Sequence, residues 1–533
     1  MNYQTNFSSL YQDRRSCGGL SSTPTMRENS RGMASGFPSR PSGSDKQKMA
    51  EAYQQVFNNP YLLLLVLERL PGDHMSLASA VRVNSLWFNE GTKVLWRQPP
   101  VAALVATTAG RRQLYADKVV VLVVYPDESE SHYDLENVRF PRLRYLYVAP
   151  FSSDRGHHWI EKYLQENLRA LYLLRAPLPD NFFSSLSVCR HLITIYLDGP
   201  LTTRFDSGQF FDFLKQARSL KSMLFTVRMG HCITDEVIVH LAEREGLELL
   251  TLGGCIGDRR RLTSIIARVP RPFPVLRALQ TSIGISNTCL LLACLNDVSL
   301  TKLVLKVQET GRTDRGHDIL QQLARFQRLK YLELRFDMEH SLSGSDVPLL
   351  GKLPLQTLHL SSANPNFRAD GLTDQEIIQL TMGLSNLRSL KFPVVNSSIS
   401  VKSLDTIAKH CRFLEHCELG GRFDLTQLDG SDGVAFPELR KLDLFAVFVD
   451  EAMKLVLPKR IMSEGRSANH RKSMETTTFA RLMEHHFPRL KDLLIVTVGR
   501  KAYDLLHGLA DTEEWDAESE RGTISRERGL TEP

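Results

Sequence analysis

From residue 119 to residue 495 the chain repeats one cadence, an apolar residue followed three and five places later by two more mostly apolar ones. Copies begin at Val119, Leu143, Leu168, Leu192, Leu220, Leu247, Leu276, Leu300, Leu329, Leu355, Leu387, Leu414, Leu439 and Leu490. Neighbouring starts lie 24 to 32 residues apart, with one gap of 51 before Leu490. Alternation over the last places of each copy predicts a short strand with one face buried. Between copies, apolar residues recur at helical spacing: Phe210, Phe211, Leu214; Val237, Ile238, Leu241; Leu262, Ile265, Ile266; Ile319, Leu320, Leu323; Leu404, Ile407, Ala408. Thr234 and Thr373 precede two such segments and suit helix starts, because a hydroxyl accepts from an unpaired first-turn amide. A unit this small cannot enclose its own apolar face, so each must cover its neighbour.

The period resembles that of leucine-rich repeat proteins, ~20–29 residues, and the resemblance spans about seven tenths of the chain. It implies an α/β solenoid over 111–509, a horseshoe with parallel strands inside and helices outside. Where that family usually places Asn or Cys after the last leucine, Cys255 fits, but Gln308, Val395, Arg422 and Val447 do not. Ragged turns are expected. Gly253-Gly254 and Gly420-Gly421 follow the apolar places and read as turns.

Before the repeats, residues 56–100 hold an apolar stretch from Leu62 to Leu70, a turn at Pro71-Gly72-Asp73, and a second apolar stretch with Ala78, Val81 and Leu86. These predict two helices too small to build a good core, and exposed leucines on such a module imply a helix-rich partner surface. The plainer reading is the amino-terminal cap that repeat arrays need. The segment resembles an F-box. Pro60 matches that family's opening proline, Val66, Leu67 and Leu70 its first-helix close, Val83 and Trp87 its third helix, and Leu95-Trp96 its end. Asn84 and Ser85 stand in place of the common Cys-Arg, and the span from Pro60 to Leu70 is one residue short. The resemblance implies that Pro60, Leu63, Val66, Leu67, Leu70, Val83, Trp87, Leu95 and Trp96 dock on a Skp-type adaptor, and through it on a cullin.

The 533 residues carry 42% hydrophobic side chains and a net charge of +6. The eight cysteines lack a paired pattern and no signal peptide precedes them, so reduced thiols and a cytoplasmic or nuclear location are expected. No apolar run is long enough to span a bilayer. Residues 1–50 are basic and rich in Ser, Gly and Pro, and 511–533 are acidic; both predict disordered tails. The stretch near 458–478 predicts a mobile insertion. The basic tail is too weakly charged to make nucleic-acid binding the main role.

Strand alternation places Tyr147, Tyr172 and Tyr196 at equivalent outward positions of successive copies, with Tyr145 beside them. Later copies put Lys306, Tyr331, Glu333, Arg335, His359, Lys391, His416, Glu418, Lys441 and Asp443 outward. Aromatic and Arg side chains dominate binding hot spots, so Tyr145, Tyr147, Tyr172, Tyr196, Tyr331 and Arg335 are the candidate substrate-binding residues; ordinary strand preference for tyrosine is the alternative. No catalytic or metal site and no cofactor is expected. Phosphate loops and nucleophile elbows are missing, and His410-Cys411 and His416-Cys417 lack zinc-ligand spacing. The family resemblance implies a non-enzymatic substrate receptor of a cullin-RING (SCF-type) ubiquitin ligase. The competing expectation is an interaction scaffold acting outside any ligase.

Overall fold

A computed structural model describes residues 53–55, 57–70, 74–125, 135–148, 158–175, 181–198, 207–255, 259–295, 300–308, 318–337, 341–362, 368–394, 398–421, 423, 435–447 and 485–497. The expected tails at 1–50 and 511–533, the insertion near 458–478 and the turn at Pro71-Gly72-Asp73 lie outside the described residues. The chain divides into two compact units, residues 1–70 and 71–533.

The second unit is built on an open sheet of 14 strands in strict chain order, with every pairing parallel. Each strand begins two residues after a predicted copy start, from Val121–Val124 and Tyr145–Val148 to Lys441–Val447 and Asp492–Thr497. The first apolar place of thirteen copies is buried, and only Leu490 is partly exposed. Strand and helix leucines share one continuous apolar core, so the repeat is an inner strand carrying an outer helix or 3-10 turn. This is the α/β solenoid that the leucine cadence predicts.

All five groups of helically spaced residues fall in helices: Ser207–Gln216, Asp235–Glu243, Arg259–Arg268, Asp318–Leu323 and Val401–His410. Thr234 accepts from the Val237 amide at 3.4 Å. Thr373 heads Asp374–Met382, where the Glu376 carboxylate accepts from the Thr373 amide at 2.8 Å, giving a reciprocal capping box. Polar side chains also lace neighbouring repeats together. Asp374 accepts from the Ser400 amide at 2.7 Å and from the Ser400 and Ser403 hydroxyls at 2.6 and 2.5 Å. The Arg244 guanidinium donates to the carbonyls of Leu214 and Ala217 in the preceding repeat and of Leu220 at the start of its own. These bonds tie the end of the helix Asp235–Glu243 to the segment before the strand Ser222–Phe225.

Two expectations need correction. Gly253-Gly254 lie within the strand Leu249–Cys255 and Gly420 ends the strand His416–Gly420, so these three are not turn glycines, whereas Gly421 lies at the bend that follows. A Cβ on Gly253 would come within 2.3 Å of the Val227 backbone nitrogen, and one on Gly420 within 2.2 Å of the Val394 carbonyl oxygen. Close approach of a neighbouring chain segment, not backbone bending, demands glycine there. The second apolar helix before the repeats is also two helices, His74–Ala80 and Ser85–Leu95, parted by residues 81–84. The Asn84 side chain accepts from the Trp87 amide at 2.9 Å and starts a new helix where apolar spacing alone suggested continuation. Val81 and Val83 therefore sit in the connection.

Candidate protein-binding surfaces

In the first unit, Asn59 caps the helix Pro60–Leu67 by accepting from the Tyr61 amide at 2.9 Å, and proline occupies the first turn, where a missing N–H costs nothing. Leu63 and Leu67 are buried. The other side of the helix is as apolar but faces water: Tyr61, Leu62, Leu65 and Val66 are 80, 40, 58 and 41% exposed. Of the adaptor candidates, Pro60, Val66 and Val83 are exposed, Leu70, Trp87, Leu95 and Trp96 are half-buried, and Leu63 and Leu67 are covered. The solvent-facing apolar side of this helix is therefore made by Tyr61, Leu62, Leu65 and Val66, and Leu63 and Leu67 are not on it.

In the second unit, Trp96 stacks on Tyr115 with ring centroids 4.2 Å apart. The Arg97 carbonyl accepts from the Val120 and Val121 amides at 2.9 and 3.0 Å, and Pro100 bridges to Val123. Residues 96–100 thus occupy the place of a preceding repeat and close the end of the sheet, as a cap must. Trp96 belongs to this cap, and Leu95 ends the helix before it.

The outward face of the sheet carries an unbroken row, one residue per strand through the thirteenth: Val123, Tyr147, Tyr172, Tyr196, Leu224, Thr251, Gln280, Val304, Glu333, His359, Lys391, Glu418 and Asp443. Parallel pairing in register brings equivalent side chains side by side. Tyr147 and Tyr172 stack with centroids 4.4 Å apart and planes 10° from parallel; Tyr172 and Tyr196 follow at 6.3 Å and 26°. Tyr145 is in register with Ala170, one pleat away from this ladder. Burial, with the Asp198 carboxylate adding to it, raises the Tyr196 phenol above its ordinary pKa, so it stays a neutral hydrogen-bonding group.

Farther along, the row turns ionic. Glu333 is buried at the centre of a network, accepting from the Tyr331 hydroxyl at 2.8 Å and pairing with the Arg335 guanidinium. Burial pushes the Glu333 carboxyl up, but its hydrogen bonds from Tyr331 and Arg335 outweigh this and leave it below the usual range. Burial and the Glu333 contact raise the Tyr331 phenol. Lys302 lies 4.6 Å from the Tyr331 ring centroid, and the His359 ring meets the same tyrosine edge-on. Lys391–Glu418 and Lys441–Asp443 pairs at 2.7 and 3.0 Å continue the pattern. The Tyr-Leu-Glu-Leu-Arg run at 331–335 held the signal for the buried hub, since alternate residues of a strand share a face.

His410 ends its helix and is exposed, Cys411 follows it buried, and His416 and Cys417 alternate outward and inward on the next strand. Burial pushes the Cys411 thiol up to about 12, and burial also raises Cys417, the character of packed thiols. Among the described residues no helix is long and apolar enough to cross a membrane.

No family model and no curated protein matches the chain. Among solved structures, the Rad7 and Elc1 complex in yeast is similar at 15% identity, covering 68% of this chain and 90% of that one with a TM-score of 0.41. A plant peptide hormone receptor, RGFR1 in complex with RGF2, is similar at 14% identity, covering 62% of this chain and 64% of that one with a TM-score of 0.25.

Proposed function

We propose that the chain is a non-catalytic substrate receptor of a cullin-RING ubiquitin ligase, in which the helical segment engages a Skp-type adaptor and the outward face of the repeats holds a protein target. The observation that carries the reading is the helix Pro60–Leu67, which keeps Tyr61, Leu62, Leu65 and Val66 in solvent. An apolar helix face of this kind is stable in water chiefly when another protein covers it. The F-box resemblance of residues 56–100 supports an adaptor as that protein. The tyrosine ladder and the Glu333 network support the second half of the reading, because stacked aromatics and an anchored Arg form the usual centre of a binding face. Such a receptor supplies proximity, raising the local concentration of target lysines near the charged enzyme without contributing a nucleophile.

Affinity purification of the full chain is expected to recover an adaptor together with a cullin. Adaptor without cullin would favour the scaffold reading. Leu65→Glu with Val66→Glu puts two charges on the exposed face and is expected to cut adaptor capture by at least tenfold while the thermal midpoint holds. Undiminished capture would remove this helix from the interface.

A further inference from the structure

The residue directly after each repeat's first apolar place lies at the rim of the sheet, and its backbone is bonded to the same position of the repeat before. The Arg169 amide donates to the Arg144 carbonyl, Arg388 to Gln356, Glu415 to Arg388, Arg440 to Glu415 and Lys491 to Arg440, at 2.7–2.8 Å. Across fourteen repeats this column holds eight Arg or Lys and two Glu. All eight cations are exposed, at strand separations of ~4.8 Å. The column alone accounts for an excess charge equal to the +6 of the whole chain. At its carboxyl-terminal end, Arg388 and Arg440 share the single Glu415 carboxylate at 2.8 and 3.5 Å. Lys491 has no ion pair among the described residues. Positive charge is left over on a line three strand spacings long, or ~14 Å.

The chain carries a segment of opposite charge near that end. Residues 511–520, Asp-Thr-Glu-Glu-Trp-Asp-Ala-Glu-Ser-Glu, hold six carboxylates and no cation. Glu514, Asp516, Glu518 and Glu520 alternate, so in an extended chain all four fall on one side, ~6.7 Å apart. The last strand ends at Thr497, fourteen residues before Asp511. Fourteen residues reach up to ~46 Å, more than the ~20 Å length of the strand back to Lys491. We propose that segment 511–520 docks on the rim at Arg388, Arg440 and Lys491, so that the solenoid's basic edge is occupied by the chain's own acidic segment until a more acidic partner displaces it. A single file of cations broken by Glu415 suits one extended acidic strand better than the two phosphate rows of a duplex.

Tethering supplies an effective concentration on the order of a millimolar, which competes with any free peptide. The test uses a fluorescent peptide of sequence 511–520 added to the full chain and to a full-length variant with Asp511→Asn, Glu513→Gln, Glu514→Gln, Asp516→Asn, Glu518→Gln and Glu520→Gln. The peptide is expected to bind the neutralised variant about tenfold more tightly than the natural chain, and to be lost between 0.05 and 0.5 M salt, concentrations of roughly tenfold ratio chosen to screen exposed charges. Adding Arg388→Glu, Arg440→Glu and Lys491→Glu is expected to abolish binding with an unchanged circular dichroism spectrum; Arg→Gln and Lys→Gln replacements serve if reversal disturbs folding. Equal binding to natural and neutralised chains would overturn the proposal, as would no binding to the neutralised chain or binding that survives the rim substitutions. Tighter capture of a single-stranded oligonucleotide than of the peptide by the neutralised chain would reassign the rim to nucleic acid and overturn it too.

Discussion

The two halves of the outward row share one backbone register and differ in chemistry. From Val123 to Leu224 the row is aliphatic and aromatic, and its tyrosines gain contact by stacking on copies of themselves. From Glu333 to Asp443 it is ionic, and neighbouring charges satisfy one another through Arg335, Lys391 and Lys441. A parallel solenoid places like position beside like position, so a repeated residue builds a ladder. Identical charges in that geometry would repel, and where the second half sets Glu418 beside Asp443 each carboxylate has its own cation, Lys391 and Lys441. The first half thus offers area with hydroxyl handles, and the second offers pairs that a ligand must break before it can use them.

If the difference is confined to the outward side, the inward side should respond alike in both halves. Leu171→Ala and Leu390→Ala each remove a buried strand leucine and are expected to cost about 2–5 kcal/mol, the range for cavity-forming Leu→Ala changes. Urea unfolding of the full chain, followed by circular dichroism, is the check. A pair of values differing by more than about 2 kcal/mol would mean that one half tolerates cavities the other cannot, since the cost depends on how far each site collapses.

The outward faces should then separate. Tyr172 sits between two rings, and Tyr172→Ala breaks both stacked pairs, whereas Tyr172→Phe keeps them. At about 0.5–1.5 kcal/mol per aromatic pair, the alanine variant is expected to lose roughly 1–3 kcal/mol of stability and the phenylalanine variant much less. If the ladder is a partner's anchor, target capture by Tyr172→Ala falls about thirtyfold, the effect of a hot-spot residue. Equal thermal midpoints for the alanine and phenylalanine variants would show that the stack adds nothing beyond its strand.

Much of this is legible in the sequence. A strict period fixes the strand starts and, through alternation, the outward side, so Tyr147, Tyr172 and Tyr196 could be placed together from spacing alone. Caps at Thr234 and Thr373 were legible because their partner amides lie within three residues. What escaped depends on segments far apart in sequence. Arg244 braces carbonyls 24 to 30 residues upstream, and Gly253 is required by the passage of Thr226 and Val227 against its backbone. The burial of Leu63 and Leu67 escaped for a related reason: Tyr61 to Leu67 is apolar all round, so its pattern names no buried side.

The smallest effect distinguishes the halves most cleanly, because it depends on titration. His359 is held below the ordinary histidine range chiefly by burial; Lys391, Arg335 and His416 also lower it and the Glu333 carboxylate opposes them. Its ring is further engaged by the Ser389 hydroxyl at 2.8 Å and by the edge of Tyr331. The unfolded chain takes up a proton near the ordinary value of about 6.5, while the folded chain waits for a lower pH. Between those two values the unfolded state binds more protons, so stability falls as the solution is acidified and levels off below the folded value. Partial exposure holds the loss under about 1 kcal/mol. Glu333 acts at lower pH: its depressed folded value gives stability above the ordinary carboxyl range that is lost as pH falls through the folded one. His359→Gln should flatten the profile just below pH ~6.5 and leave the acid limb from Glu333 in place. Tyr172→Phe should alter neither limb. A wild-type slope that persists in His359→Gln would assign the titration to a different group and leave the charged half without its pH signature.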